Sequence, residues 1–190
     1  RIDSPGGAYG ASDSVRRAVK FAREKGKRVV ASMGVVAASG GYFIAMGAER
    51  VVAQPATLTG SIGVFGGKIV LHELWRKLGV NWEQIRVGAQ AGMWSPHWPF
   101  EPGAQARQRA MLDDIYRDFT EKAAADRGLD DAAIDAAARG RVWTGVDAKR
   151  LGLVDRLGGL TTAVGEMREL LKLGADAPVA LVVRPAAQSP

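Results

Sequence analysis

Apolar positions recur along this chain with two spacings, and the alternation between them outlines an α/β domain. Val15, Ala18, Val19 and Ala22 repeat at helical spacing behind Ser12 and Asp13, either of which suits a helix cap, and Gly26 closes the run. The stretch Arg28 to Met33 follows as an apolar strand. Ser39 then opens a small-residue segment from Phe43 to Ala48 that continues as a short helix. Arg50–Ala53 reads as a second strand, and Ile62–Phe65 as another after a loop carrying Pro55, Thr57 and Thr59 to Ser61. A helix is expected from His72 to Leu78, ended by Gly79, and the Gly-, Pro- and Trp-containing stretch Gly88 to Pro102 reads as a long surface loop. The longest helix is expected from Gln105 to Arg127, with Leu112, Ile115, Tyr116, Phe119 and Ala123 on one stripe and Gly128 as its stop. Asp130 or Asp131 starts another, ended by Gly140. Val142 to Gly145 leads into a short helix closed by Gly152, Thr161 caps the last helix, and Pro178–Val183 reads as a final strand. Strands alternating with helices in this way predict parallel pairing.

Composition narrows the picture. The 190 residues suit one domain with a substantial core, and no apolar run approaches the length of a membrane span. The absence of cysteine excludes a disulfide framework and a thiolate metal site, and no other metal constellation or cofactor motif is visible. Gly67-Lys68 is followed by Ile69, and Ile62 stands where a phosphate-binding loop needs its first glycine, so a nucleotide reading fails on spacing. The formal net charge is +6, yet the basic residues are dispersed, which argues against nucleic acid as a partner. The chain opens Arg1-Ile2-Asp3, the end of a strand running into the Gly-rich turn Ser4-Pro5-Gly6-Gly7; it reads as a single domain, residues 1–190, truncated on its N-terminal side.

The richest chemistry lies in Val35-Val36-Ala37-Ala38-Ser39-Gly40-Gly41-Tyr42. A serine between a strand and a helix sits beside backbone N–H groups that the first helical turn leaves unpaired. Gly40 and Gly41, lacking Cβ, let another chain approach closely. Such a junction suits attack on a carbonyl and stabilisation of the oxyanion. It equally suits a small-residue helix start packed against a sheet.

Together with this run, Asp3 to Gly7, Thr59 to Val64, Gly140 to Gly145, Asp147-Ala148-Lys149 and Gly152 to Asp155 resemble signal peptide peptidase of the protease IV type, in family order over nearly the whole chain. The resemblance implies the Clp protease/crotonase-like fold of stacked ββα units. It implies a serine endopeptidase acting on apolar peptides such as remnant signal peptides, working as a homo-oligomer at the extracytoplasmic, periplasmic face of the bacterial inner membrane, to which it is held by a segment not present here. Residue by residue it makes Ser39 the nucleophile and gives the Gly40 N–H to the oxyanion hole. Gly7 supplies the second N–H, with Gly6 a close competitor. Ser61 matches a hydroxyl residue near the family's active centre, and also suits a turn serine bonded to its own backbone.

The base departs from the pattern. Short family members carry a lysine where Ala91 stands here, and no lysine occurs between Lys77 and Lys122. Long members carry two tandem copies, the lysine in the first and the serine in the second, and this chain resembles the second. The expectation is a lysine from an upstream half; in-chain alternatives are Lys68, His72 and His97, each of which also reads as an ordinary surface residue. Two other functional readings stand beside the peptidase. One is a crotonase-like acyl-CoA enzyme, disfavoured by the lack of any acidic residue between Gly26 and Ala48; the other is a non-catalytic assembly subunit with Trp94 to Trp98 as its contact.

Overall fold

The computed structural model of the chain describes residues 1–174 and 177–184. Its elements are β1 (Ile2–Ser4), α1 (Tyr9–Glu24), β2 (Val30–Ala38), α2 (Gly40–Ala45), β3 (Arg50–Ala53), β4 (Leu58–Gly60), α3 (His72–Lys77), α4 (Pro102–Arg127), α5 (Asp131–Ala137), β5 (Val142–Thr144), α6 (Gly145–Arg150), β6 (Arg156–Leu157) and α7 (Leu160–Leu170).

The long strand β2 organises a six-stranded mixed sheet. Its first half pairs in parallel with β3, Val30 opposite Arg50 and Ser32 opposite Val52. Its second half pairs in parallel with β4, Val36 opposite Leu58 and Ala38 opposite Gly60. Ala37 lies between Ser4 of β1 and Thr59 of β4. Two buried hydroxyls reinforce this seam, Thr57 donating to the Gly34 carbonyl and Thr59 to that of Ala37, each at 2.7 Å. β6 continues the sheet in parallel beyond β3, and β5 closes the other end antiparallel to β4. β2 is buried from Ala31 to Gly34 and again at Ala37 and Ala38, whereas Val35 between them is exposed.

α2 is buried almost entirely. Tyr42, Phe43 and Met46 join Met33, Val51, Ile62 and Leu153 in the core. Phe119 of α4 meets Phe43 edge to face, with ring centres 4.8 Å apart. The expected long helix is thus present, its Pro102 at the first position and Gly128 in the left-handed conformation at its end.

Four local expectations shift. The strand lies at Leu58–Gly60, where β2 and β5 both offer partners; Ile62–Phe65 forms none, Ile62 being a core side chain whose carbonyl accepts from the Gly140 N–H instead. Pro178–Val183 is not a strand, since no described edge pairs with it and β propensity alone does not make a ladder. α1 begins at Tyr9 behind Ala8, and α7 behind Gly159, without a side-chain cap from the expected residues. α1 is also rotated: Val15 and Ala18 are exposed, while Ser12 and Arg16 are buried against the domain. Arg16 fits there because Asp126 of α4 pairs with it at 2.6 Å. Among the described residues no helix is long and apolar enough to cross a membrane.

Candidate active site

Ser39 lies between β2 and α2, at the N-cap position of the helix but with no side-chain capping bond. Its N–H donates to the Gly60 carbonyl at 2.8 Å, and its own carbonyl accepts the Phe43 N–H at 2.8 Å. Held from both sides, it adopts φ 50°, ψ −119°, a conformation that L-residues rarely occupy. The half-buried side chain lines a cavity of about 680 Å³, and its hydroxyl has no hydrogen-bond partner among the described residues.

The turn after β1 interlocks with this elbow. Gly6 has φ 125°, and a Cβ there would lie 2.8 Å from the Ser39 Cβ and 3.0 Å from the Gly40 nitrogen. A Cβ on Gly40 would collide with the Ser12 hydroxyl and lie 3.0 Å from the Gly7 nitrogen, and one on Gly41 would lie 2.6 Å from the Ser4 carbonyl oxygen. The two glycine turns therefore touch backbone to backbone. The Gly6 N–H is already engaged, donating to the Ser4 hydroxyl at 3.2 Å. The N–H groups of Gly7 and Gly40 have no partner among the described residues.

Ser61 occupies the corresponding place on the next strand. Ala38 pairs with Gly60, so Ser39 and Ser61 leave adjacent strand ends, and Ser61 also has a positive φ of 49°. Its N–H donates to the Arg141 carbonyl at 2.7 Å, and the residue lines the same cavity. Its hydroxyl makes no bond to its own backbone. The rest of the cavity wall is largely apolar, with Phe43, Val64, Phe65, Leu112, Ile115 and Phe119.

None of the in-chain base candidates reaches this cavity. The Lys68 ammonium donates to the Met93 carbonyl at 2.8 Å and stands 4.4 Å from the centre of the Phe100 ring. His72 meets Trp98 at a tilt, and His97 stacks against Trp82. Lys122 lies behind the wall, and burial alone would lower its pKa. Hydrogen bonds to Asp118, Asp13 and the Tyr9 hydroxyl outweigh that effect and raise it, so this ammonium stays charged where a general base must be neutral. The same contacts hold Asp118 below the usual carboxylate range against the opposing effect of its burial, while Tyr9 is raised by burial and then by Asp118. Of this network the sequence displays only the Asp118–Lys122 spacing on one helix.

An uncommitted hydroxyl on a strained strand-to-helix elbow, two open N–H groups beside it and an apolar cleft form an arrangement suited to acyl transfer. The chain belongs to Peptidase family S49, whose profile matches residues 21–174. Its fold is the Clp protease/crotonase-like one of stacked ββα units. It is 40% identical over 183 residues to "Serine protease SPPA, chloroplastic" of Arabidopsis thaliana, covering 96% of this chain and 27% of that protein. It is 40% identical over 173 residues to "Protease 4" of Salmonella typhi, covering 91% and 28%. The chain thus spans little more than a quarter of the length of these curated relatives. A solved enoyl-CoA hydratase/isomerase family protein from Hyphomonas neptunium superposes with a TM-score of 0.40 at 22% identity, over 85% of this chain and 42% of its own.

Proposed function

We propose that this domain is the nucleophile-bearing half of a serine endopeptidase that cleaves apolar peptides such as remnant signal peptides. Ser39 Oγ attacks the scissile carbonyl, and its proton passes to a neutral lysine amine supplied from an upstream half of the same protein. The carbonyl oxygen, now an oxyanion, accepts hydrogen bonds from the Gly7 and Gly40 N–H groups. Collapse of the intermediate expels the amine, which takes the proton back from the lysine, and water then hydrolyses the acyl-enzyme with the same base. Work as a homo-oligomer, and attachment through a separate segment to the periplasmic face of a bacterial inner membrane, belong to the same proposal.

The observation that carries this reading is the uncommitted Ser39 hydroxyl beside two unpaired N–H groups at an apolar cleft. The choice of Gly7 over Gly6 is supported by the Ser4 hydroxyl, which already occupies the Gly6 N–H. The external base is supported by the absence of any lysine or histidine from the cavity lining. The test compares the full-length protein, its Ser39→Ala variant and the isolated 190-residue chain on a fluorogenic apolar peptide. Activity in the first and its loss in the other two are expected. Undiminished cleavage by Ser39→Ala removes the nucleophile, and full activity of the isolated chain removes the external base.

A further inference from the structure

Lys122 reaches from α4 to both segments that carry the open N–H groups. Its ammonium donates to Asp13 at 2.8 Å and to the Tyr9 hydroxyl at 3.3 Å, and pairs with Asp118 at 2.7 Å. It also stands 5.7 Å from the centre of the Tyr9 ring and 5.6 Å from that of Phe43. Those two rings meet edge to face at 5.6 Å, and the Tyr9 hydroxyl donates to Asp118. Tyr9 is the first residue of α1, just after Gly7, while Phe43 lies in the first turn of α2, just after Gly40. One cation therefore grips the turn behind each donor.

We infer that Lys122 is a positioning residue for the oxyanion pair, joining α1 to α2 through Tyr9, Asp13 and Phe43 and thereby setting the spacing of the Gly7 and Gly40 N–H groups. The inference rests on the peptidase reading given above. Two N–H groups stabilise an oxyanion only when both come within about 2.7–3.1 Å of it. They stand on separate segments, and α1 starts at Tyr9 behind Ala8, with no side-chain cap to fix its first turn. A displacement of about 1 Å in such a site costs on the order of a hundredfold in rate, so a clamp across the two segments has a direct catalytic consequence. It acts after substrate is bound, on the oxygen that becomes charged, so its loss falls on kcat.

The experiment measures kcat and KM of the full-length enzyme, with melting temperatures, for the wild type, Lys122→Met, Lys122→Arg, Tyr9→Phe and Ser39→Ala. Lys122→Met is expected to lower kcat about tenfold, equivalent to about 1.4 kcal/mol, with KM within about twofold. Lys122→Arg, which keeps the charge and the ring contacts, restores kcat to within about threefold of wild type. Hydrogen exchange in the peptides covering residues 5–12 speeds up in Lys122→Met. An unchanged kcat, or a rise in KM alone, overturns the inference. Should Lys122→Met fail to fold, Tyr9→Phe decides: a fall in kcat of about threefold is expected from losing its hydroxyl contacts, and wild-type kcat refutes the clamp. Ser39→Ala separates the two levels. If it stays active, the peptidase reading and the clamp fall together; if it is dead while Lys122→Met is normal, the clamp alone falls.

Discussion

Replacing Ser39 by glycine should stabilise the domain while destroying its proposed chemistry. Ser39 holds φ 50°, ψ −119°, and it is kept there by the Gly60 carbonyl on one side and the Phe43 N–H on the other. A non-glycine residue in so sparsely populated a region stores about 1–3 kcal/mol of strain. Glycine relieves that strain but gives back about 0.5–1 kcal/mol through its greater freedom in the unfolded chain. No hydrogen bond of the hydroxyl is lost, so the net gain is about 0–2.5 kcal/mol, the difference of those two terms, centred on about 1.2 kcal/mol. For a domain of this size the centre of that range corresponds to a rise in Tm of about 2–5 °C. The control is Ser39→Ala, which removes the same oxygen but keeps Cβ and therefore the strain; its Tm should match the wild type. Thermal and urea denaturation of the isolated domain measure all three. If Ser39→Gly melts no higher than Ser39→Ala, the elbow holds no strain and the reasoning from its dihedral angles fails.

Gly6→Ala combines a φ of 125° with a Cβ placed 2.8 Å from that of Ser39; a loss of at least about 2 kcal/mol in urea denaturation is expected, with no peptidase activity in the full-length enzyme. Phe119→Ala empties a ring that is 3% exposed and packs on Phe43, so calorimetry should show a cost of about 3–5 kcal/mol. Burial raises the Tyr42 hydroxyl, which donates to the Leu153 carbonyl at 3.2 Å. Because the folded-state pKa is the higher one, the unfolded chain loses this proton first; the contribution is complete below about pH 10 and fades as pH rises further. Tyr9 and Lys122, raised as well, act with the same sign. Melting temperatures should therefore fall as pH rises above about 10, and by less in Tyr42→Phe; an equal fall in both proteins would remove Tyr42 from the account.

What was legible in the sequence follows from where the determining partner lies. The Gln105–Arg127 stripe and the Arg50–Ala53 strand carry their period within themselves, and both appear where expected. Ile62–Phe65 carries the stronger extended propensity, yet the sheet takes Leu58–Gly60 because β2 and β5 flank it. Ser39 stood out because strand, serine and paired glycines are contiguous. That the Gly6 N–H is engaged by the Ser4 hydroxyl, which supports the proposal of Gly7, is not legible locally, since it depends on where that hydroxyl points. Arg16 reads as a surface residue until Asp126, far along the chain, is placed against it. The contacts behind the inferred Lys122 clamp are hidden for the same reason: Tyr9, Phe43 and Asp13 meet it only in the folded domain.

The glycine contacts also explain why the site needs the short strand β1. Ser4 pairs with Ala37, its hydroxyl takes up the Gly6 N–H, and its carbonyl oxygen occupies the place of a Gly41 side chain. Asp3 adds a further tie, accepting the Val36 N–H at 3.1 Å. Docking of three residues on β2 therefore sets the Gly6–Gly7 turn against Ser39 and Gly40 at the same time as it completes the ladder. The core formed by Met33, Tyr42, Met46, Val51 and Leu153 is built from later elements. The hydroxyl and the Gly40 N–H belong to that core-anchored elbow, whereas the Gly7 N–H arrives only with β1. The proposed oxyanion stabilisation is thus coupled to the seating of one short strand, and Lys122, bonded to Tyr9 and Asp13 of the helix that follows it, fastens the same joint from the other side.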